Sequence, residues 1–129
     1  VEDQPRDDER VGRAGLDEWA PVGGSLHGPA AAAFLARDGV EDEELLAAVA
    51  YHTVGHPDLE AAGRALYCAD FVEPGRSSDR ALRAELRSRY PGDPDGVLRD
   101  VLRSRIGYVL ERGRPIFLGT ARMWNRLNR

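Results

Sequence analysis

The sequence predicts an all-α domain. Apolar residues recur at helical spacing from about residue 29 to the C-terminus, no stretch alternates with the two-residue period of a strand, and the breaks fall at Gly- and Pro-containing turns. A chain of 129 residues with 42% hydrophobic content supports one domain around a single modest core. There is no internal repeat and no glycine-rich phosphate loop.

Residues 1–23 are polar and turn-rich, with five acids in the first ten positions, and the expectation is an N-terminal segment without stable structure ahead of a helical domain over 24–129. Leu26-His27-Gly28-Pro29 opens a short alanine-rich helix to Arg37, with proline suited to its first turn and Phe34 and Leu35 as core contacts. His27 sits just ahead of that turn. A histidine there is by itself a surface or capping residue.

The next helix spans Glu41 to Thr53. Four acids complement its N-terminus, and Leu45, Val49 and His52 follow at i, i+4 and i+7, which puts His52 on the apolar face near the C-terminal end. Gly55 and Pro57 stop it, so the following helix folds back beside it.

From Asp58 to Phe71 the pattern is helical again, with Asp58 as cap, Glu60 in the first turn, and Leu59, Ala62, Leu66 and Phe71 as the inner stripe. Asp70 falls on that stripe, four residues after Leu66. A carboxylate facing a core costs at least ~3 kcal/mol unless something pairs with it. Either a cation meets Asp70 or it lines a cleft. His52 and Asp70 could then meet across the helix pair, and a His–Asp hydrogen bond in an ordinary core stays open beside a ligand site.

Ser77-Ser78-Asp79 caps a helix to Arg89 with Leu82 and Leu86 inside and arginines outside. The cleanest amphipathic pattern is Asp95 to Glu111, through Val97, Leu98, Val101, Leu102, Ile106, Val109 and Leu110. Gly113 ends it, Pro115-Ile116 runs extended, and Thr120 caps a last short helix in which Trp124 and Leu127 pack back on the bundle.

Charge is unevenly divided. Residues 1–60 carry fourteen acids against four arginines, residues 61–129 eight acids against fourteen arginines, and the formal net charge is -4 with no lysine anywhere. The basic half suits a phosphate-bearing ligand or a solvated helix face, while net acidity and few aromatics argue against a dedicated nucleic-acid binder. No apolar run approaches the ~20 residues of a membrane span and no leader is evident, so the reading is a soluble cytoplasmic protein with no membrane partner. The single cysteine, Cys68, cannot form an internal disulfide and is expected as a small core residue, which argues against a redox role.

Leu26-His27-Gly28-Pro29-Ala30-Ala31, Tyr51-His52-Thr53-Val54-Gly55-His56-Pro57 and Ala69-Asp70-Phe71-Val72-Glu73-Pro74-Gly75-Arg76, in that order and spacing, resemble the three later motifs of the YqeK-type HD-domain proteins. The similarity runs from about Gly24 to Leu127. It implies an HD-domain-like helical bundle and a hydrolase that splits diadenosine tetraphosphate, a dinucleoside polyphosphate, symmetrically into two ADP. It also implies two metal ions, iron or another divalent metal, held by six ligands in the order His, His-Asp, His, His, Asp. By this resemblance His27 and His52 are ligands of the second metal and Asp70 of the first. Arg76 would hold a phosphate, and Thr53 and Gly55 would shape the pocket. His56 lies at the pocket mouth and stays outside the ligand set.

The first His and the His-Asp pair of that pattern are missing: no histidine precedes His27, and Glu2-Asp3 is not such a pair. The chain therefore carries half of the expected metal site. With Val1 as first residue, truncation upstream is the expected explanation, leaving this chain impaired and a bundle lacking its first helices. The alternative is a degenerate, non-catalytic HD domain that binds a nucleotide or a protein partner. Missing helices would expose apolar faces around Leu45, Leu66 and Val101 and drive association, a homodimer being the simplest form.

Overall fold

The computed structural model describes residues 27–129; the polar segment 1–23 lies outside the described residues. Six helices and no strand are found among them: α1 His27–Arg37, α2 Glu43–Tyr51, α3 Ala61–Val72, α4 Arg80–Arg89, α5 Pro94–Glu111 and α6 Leu118–Leu127. Each of the first three packs on the next. α5 then lies against α3, α4 and α6, so the longest helix is the shared wall of the bundle. The architecture is the expected all-α, HD-like bundle.

The core is built where α5 meets α3 and α4. Val97, Leu98, Val101 and Leu102 have at most 1% of their surface exposed, and Tyr67, Cys68, Phe71 and Leu86 close around them. Val101 is thus internal and belongs to no exposed face. The amphipathic pattern of α5 also ends earlier than its sequence suggests, because Leu110 is 62% exposed.

Two registers differ from expectation. In α2 the capping residue is Asp42, whose carboxylate accepts from the Leu45 amide at 3.1 Å, so the helix begins at Glu43. Leu46, Ala50 and Tyr51 face the core, and Leu45 is turned outward. The four consecutive acids made every start position look alike, and the cap decided among them. In α3 the helix begins at Ala61, not Asp58, whose carboxylate is taken by Arg126 in the preceding turn. The inner stripe is Gly63, Tyr67, Cys68 and Phe71, while Leu66 is exposed.

Other ends carry smaller corrections. Asp79 precedes α4 with φ 51 and makes no side-chain cap. Asp93 caps α5 through the Gly96 amide at 3.1 Å, with Pro94 in the first turn. α6 starts at Leu118, and the Thr120 hydroxyl, expected as a cap, instead donates to the Val54 carbonyl at 2.6 Å, tying α6 to the α2–α3 connection. No helix of the described residues is long and apolar enough to cross a membrane.

Candidate functional site at the ends of α1, α2 and α3

α1 begins directly against the last turn of α2. Gly28 makes this contact possible: a Cβ there would lie 2.5 Å from the Ala50 carbonyl oxygen and 2.9 Å from that of Val49. Any larger residue would push the helices apart. The close approach brings the ring of His27 to that of His52, with the two Nε2 atoms 3.2 Å apart. The rings meet edge-on, 5.0 Å between centroids at 72°.

The protonation of this pair follows from its partners. His52 Nδ1 donates to the Val49 carbonyl one turn back, at 2.6 Å. A carbonyl oxygen only accepts, so the proton of neutral His52 is on Nδ1 and its Nε2 keeps a lone pair aimed at His27. His27 Nε2 is also 3.1 Å from the Thr53 hydroxyl. Two imidazole nitrogens and a hydroxyl thus converge at one point.

Asp70 lies at the other end of the same wall. Its side chain is 31% exposed and its Oδ2 accepts from Arg105 Nη2 at 3.0 Å and faces Arg76 Nη2 at 3.5 Å. Asp70 is both paired with a cation and set in a cleft, so the two expectations for it hold together. Arg105, from α5, was not singled out in the sequence, although it continues the stripe Val97, Leu98, Val101, Leu102 by a further turn. Its Nη1 donates to the Thr53 carbonyl at 2.7 Å, and its guanidinium carbon stacks 4.6 Å from the Tyr67 ring and 5.7 Å from that of Phe71. Asp70, Arg105, Thr53, His27 and His52 therefore form one continuous chain of contacts. Asp70 does not join the histidines, and no group of three His, Cys, Asp or Glu side chains suited to a metal ion occurs among the described residues.

Arginines finish this end of α3. Three successive carbonyls at its C-terminus each accept from a different guanidinium: Asp70 from Arg76 at 3.0 Å, Phe71 from Arg83, and Val72 from Arg87. Cations at the last carbonyls of a helix complement its dipole. Arg83, expected on the solvent side of α4, is only 7% exposed, also donates to the Ser78 carbonyl at 2.7 Å, and sits 4.3 Å over the Phe71 ring. Burial, and then the neighbouring charge of Arg76, lower its pKa from the ordinary arginine value.

These groups open onto a cleft of about 800 Å³. Thr53, Asp70 and Arg76 line it with Arg83, Arg103 and Arg105, and Tyr67, Phe71, Tyr108 and Phe117 supply ring surface. At its base the Tyr67 hydroxyl and Arg105 Nε have no hydrogen-bond partner among the described residues. Burial, partly opposed by the charge of Arg105, pushes the Tyr67 hydroxyl up to about 12, so it stays a donor at neutral pH. Gly55 is not in this wall: with φ +87 it turns the chain after α2, and a Cβ there would meet Met123 and Tyr67 at 2.9 and 3.3 Å. His56 is stacked on Tyr51, 4.7 Å between centroids. A second depression, of about 670 Å³ around Asp58, Arg64, Tyr90 and Asp95, has its arginines already paired with carboxylates.

No protein-family profile matches the chain. It is similar to proteins named "Bis(5'-nucleosyl)-tetraphosphatase, symmetrical". The one from Halalkalibacterium halodurans is 29% identical over 103 residues, covering 79% of this chain and 54% of the relative. That from Bacillus subtilis is 29% identical over 102 residues, and that from Staphylococcus aureus 26% over 104, again covering 54% of each relative. The chain thus spans about half the length of these relatives. In three dimensions it resembles a crystal structure from Clostridium acetobutylicum described as a predicted HD superfamily hydrolase involved in NAD metabolism. The TM-score is 0.68 at 26% identity, covering 94% of this chain and 67% of that one. The resemblance seen in the motifs is therefore found both in sequence and in fold.

Proposed function

We propose that this chain carries the polyphosphate cleft and the histidine half of the metal site of a cytoplasmic, metal-dependent phosphohydrolase acting on dinucleoside polyphosphates. The observation that carries the reading is the juxtaposition of the His27–His52 pair with an arginine-lined cleft, joined through Thr53. The names of the relatives supply the substrate class, and symmetrical cleavage of diadenosine tetraphosphate to two ADP is the specific activity inferred from them.

The two histidines offer a donor set suited to a divalent ion. Two nitrogens bound to one tetrahedral ion at ~2.1 Å would lie about 3.4 Å apart, close to the 3.2 Å between the two Nε2 atoms, a separation that also suits a hydrogen bond between the rings. The Val49 carbonyl fixes the tautomer that leaves His52 Nε2 free to ligate, a role outer hydrogen bonds commonly play at metal sites. His27 and His52 thus fit a borderline divalent ion such as iron, manganese or zinc. Asp70 fits less well, because its carboxylate is already engaged by Arg105 and Arg76. When bound, the ion would polarise a phosphoryl oxygen. Arg76 and Arg103 would neutralise the polyphosphate, Arg76 being held beside Asp70 before substrate arrives, while Arg105 fixes that wall of the cleft. The ring surfaces of Tyr108 and Phe117 would take a base.

The test is metal content of protein purified without chelator, together with ADP release from diadenosine tetraphosphate. Metal that is lost in His52→Ala, with ADP produced, supports the hydrolase. Nucleotide binding without metal or turnover would favour the second reading, a non-catalytic nucleotide-binding HD domain. That reading has an observation of its own: Asp70 is satisfied by protein cations alone.

A further inference from the structure

We infer that Arg105 is the permanent counter-cation of Asp70, so that in this chain Asp70 is an anchor for the cleft and not a metal ligand. The inference builds on the proposed phosphohydrolase site and departs from the ligand set implied by the resemblance. Four features of Arg105 carry it. Its Nη2 meets Asp70 Oδ2 at 3.0 Å, within ordinary ion-pair distance. Its Nη1 is bound at the same time to the Thr53 carbonyl, so leaving Asp70 would also break the link to the α2–α3 connection. The guanidinium is stacked on Tyr67 and Phe71, which fixes its plane, and the side chain is only 21% exposed. The charge therefore has no solvated position to retreat to without leaving these rings. Arg76 adds a second positive charge to the same oxygen at 3.5 Å.

A divalent ion arriving at Asp70 would have to displace one guanidinium and tolerate the other, and among the described residues no further His, Cys, Asp or Glu is grouped there to hold it. The site is therefore asymmetric. Any exchangeable cation belongs to the histidines, and the positive charge beside Asp70 is supplied by α5. Asp70 acts as a positioning residue: through Arg105 it holds the Thr53 backbone, and Thr53 presents its hydroxyl to His27.

The experiment is a double-mutant cycle by thermal unfolding of chelator-treated protein, comparing wild type, Asp70→Asn, Arg105→Met and the double variant. Each single change should lower Tm by roughly 3–8 °C, and the double variant should fall no further than the worse single one, since both remove the same pair. Additive losses would overturn the inference. The same proteins are then titrated with Mn²⁺. Asp70→Asn should bind the same number of ions as wild type, with affinity lowered severalfold as Thr53 loosens beside His27, and loss of an ion from Asp70→Asn would overturn the inference. If Arg105→Met does not fold, Arg105→Lys replaces it, because lysine keeps the charge but cannot bridge Thr53 and Asp70 together. Asp70→Asn should then cost the lysine variant less than it costs wild type. If wild type binds no Mn²⁺, the hydrolase reading fails, and the unfolding cycle still decides the role of Arg105.

Discussion

The two ends of the site are finished in opposite ways. At the α3 end every strong acceptor has a protein cation: the Asp70 carboxylate has Arg105 and Arg76, and the last carbonyls have Arg76, Arg83 and Arg87. At the α1–α2 end two imidazole nitrogens and a hydroxyl meet one another within hydrogen-bond distance. Groups paired with protein cations stabilise a fold, whereas ring nitrogens that meet only one another and a hydroxyl can exchange those partners for an added one. The contrast teaches that the arginine end is closed on itself by ion pairs, whereas the histidine end is held only by neighbouring ring nitrogens and a hydroxyl.

The sharpest way to break that contrast is Arg83→Ala, which strands the Phe71 and Ser78 carbonyls; it should destabilise by about 3 kcal/mol, read from urea midpoints. Next is Gly28→Ala, whose Cβ would strike the Ala50 and Val49 carbonyls. A loss of about 1–3 kcal/mol is expected from the forced separation, accompanied by weaker metal uptake because His27 is carried away from His52. His27→Ala and His52→Ala should behave in reverse, changing stability by less than about 1 kcal/mol while abolishing metal uptake in calorimetric titration. A large stability loss with metal binding intact would dissolve the distinction between the ends.

A pH series sharpens it further. Cys68 and Tyr67 lie beneath Arg105, and burial pushes both up to about 12. Their folded pKa values exceed the ordinary values of 9.0 and 10.0, so the unfolded chain loses these protons first. Stability from this source is whole below pH 9 and should decline as pH rises from about 9 towards 12, with the Cys68 thiol resisting alkylation at neutral pH until the protein is denatured. The smallest effect belongs to Arg126→Ala, since its partner Asp58 is a surface residue, and no more than about 1 kcal/mol is expected.

Much of this was legible in the sequence for definite reasons. The helices follow from apolar spacing and from Gly and Pro breaks, and their order is as read. His52 could be placed at the end of α2 because the helix stops at once, and Asp70 could be flagged because a carboxylate near an apolar stripe demands a partner. What was not legible was the identity of that partner. Arg105 continues the buried stripe of α5, but one of fourteen arginines in the basic half gives no sign by composition that it points inward. The faces of α2 and α3 were displaced for a related reason. Runs of acids and alanines fit several registers equally, and only the Asp42 cap and the Tyr67–Cys68 packing choose between them.

The hydrogen bonds that close the cleft join distant parts of the chain, Arg105 to Thr53 across 52 residues and Thr120 to Val54 across 66. The pairs α1–α2 and α2–α3, by contrast, are sequence neighbours and close short loops. Loop-closure entropy then predicts an order of events, with the local helix contacts forming before the long-range bonds that close the cleft. Substitutions at Arg105 or Thr120 should accordingly speed unfolding while leaving the folding rate nearly unchanged, a signature read from the two arms of a chevron plot. The contacts that close the cleft are thus the long-range ones, whereas the histidine pair rests on a short-range helix contact.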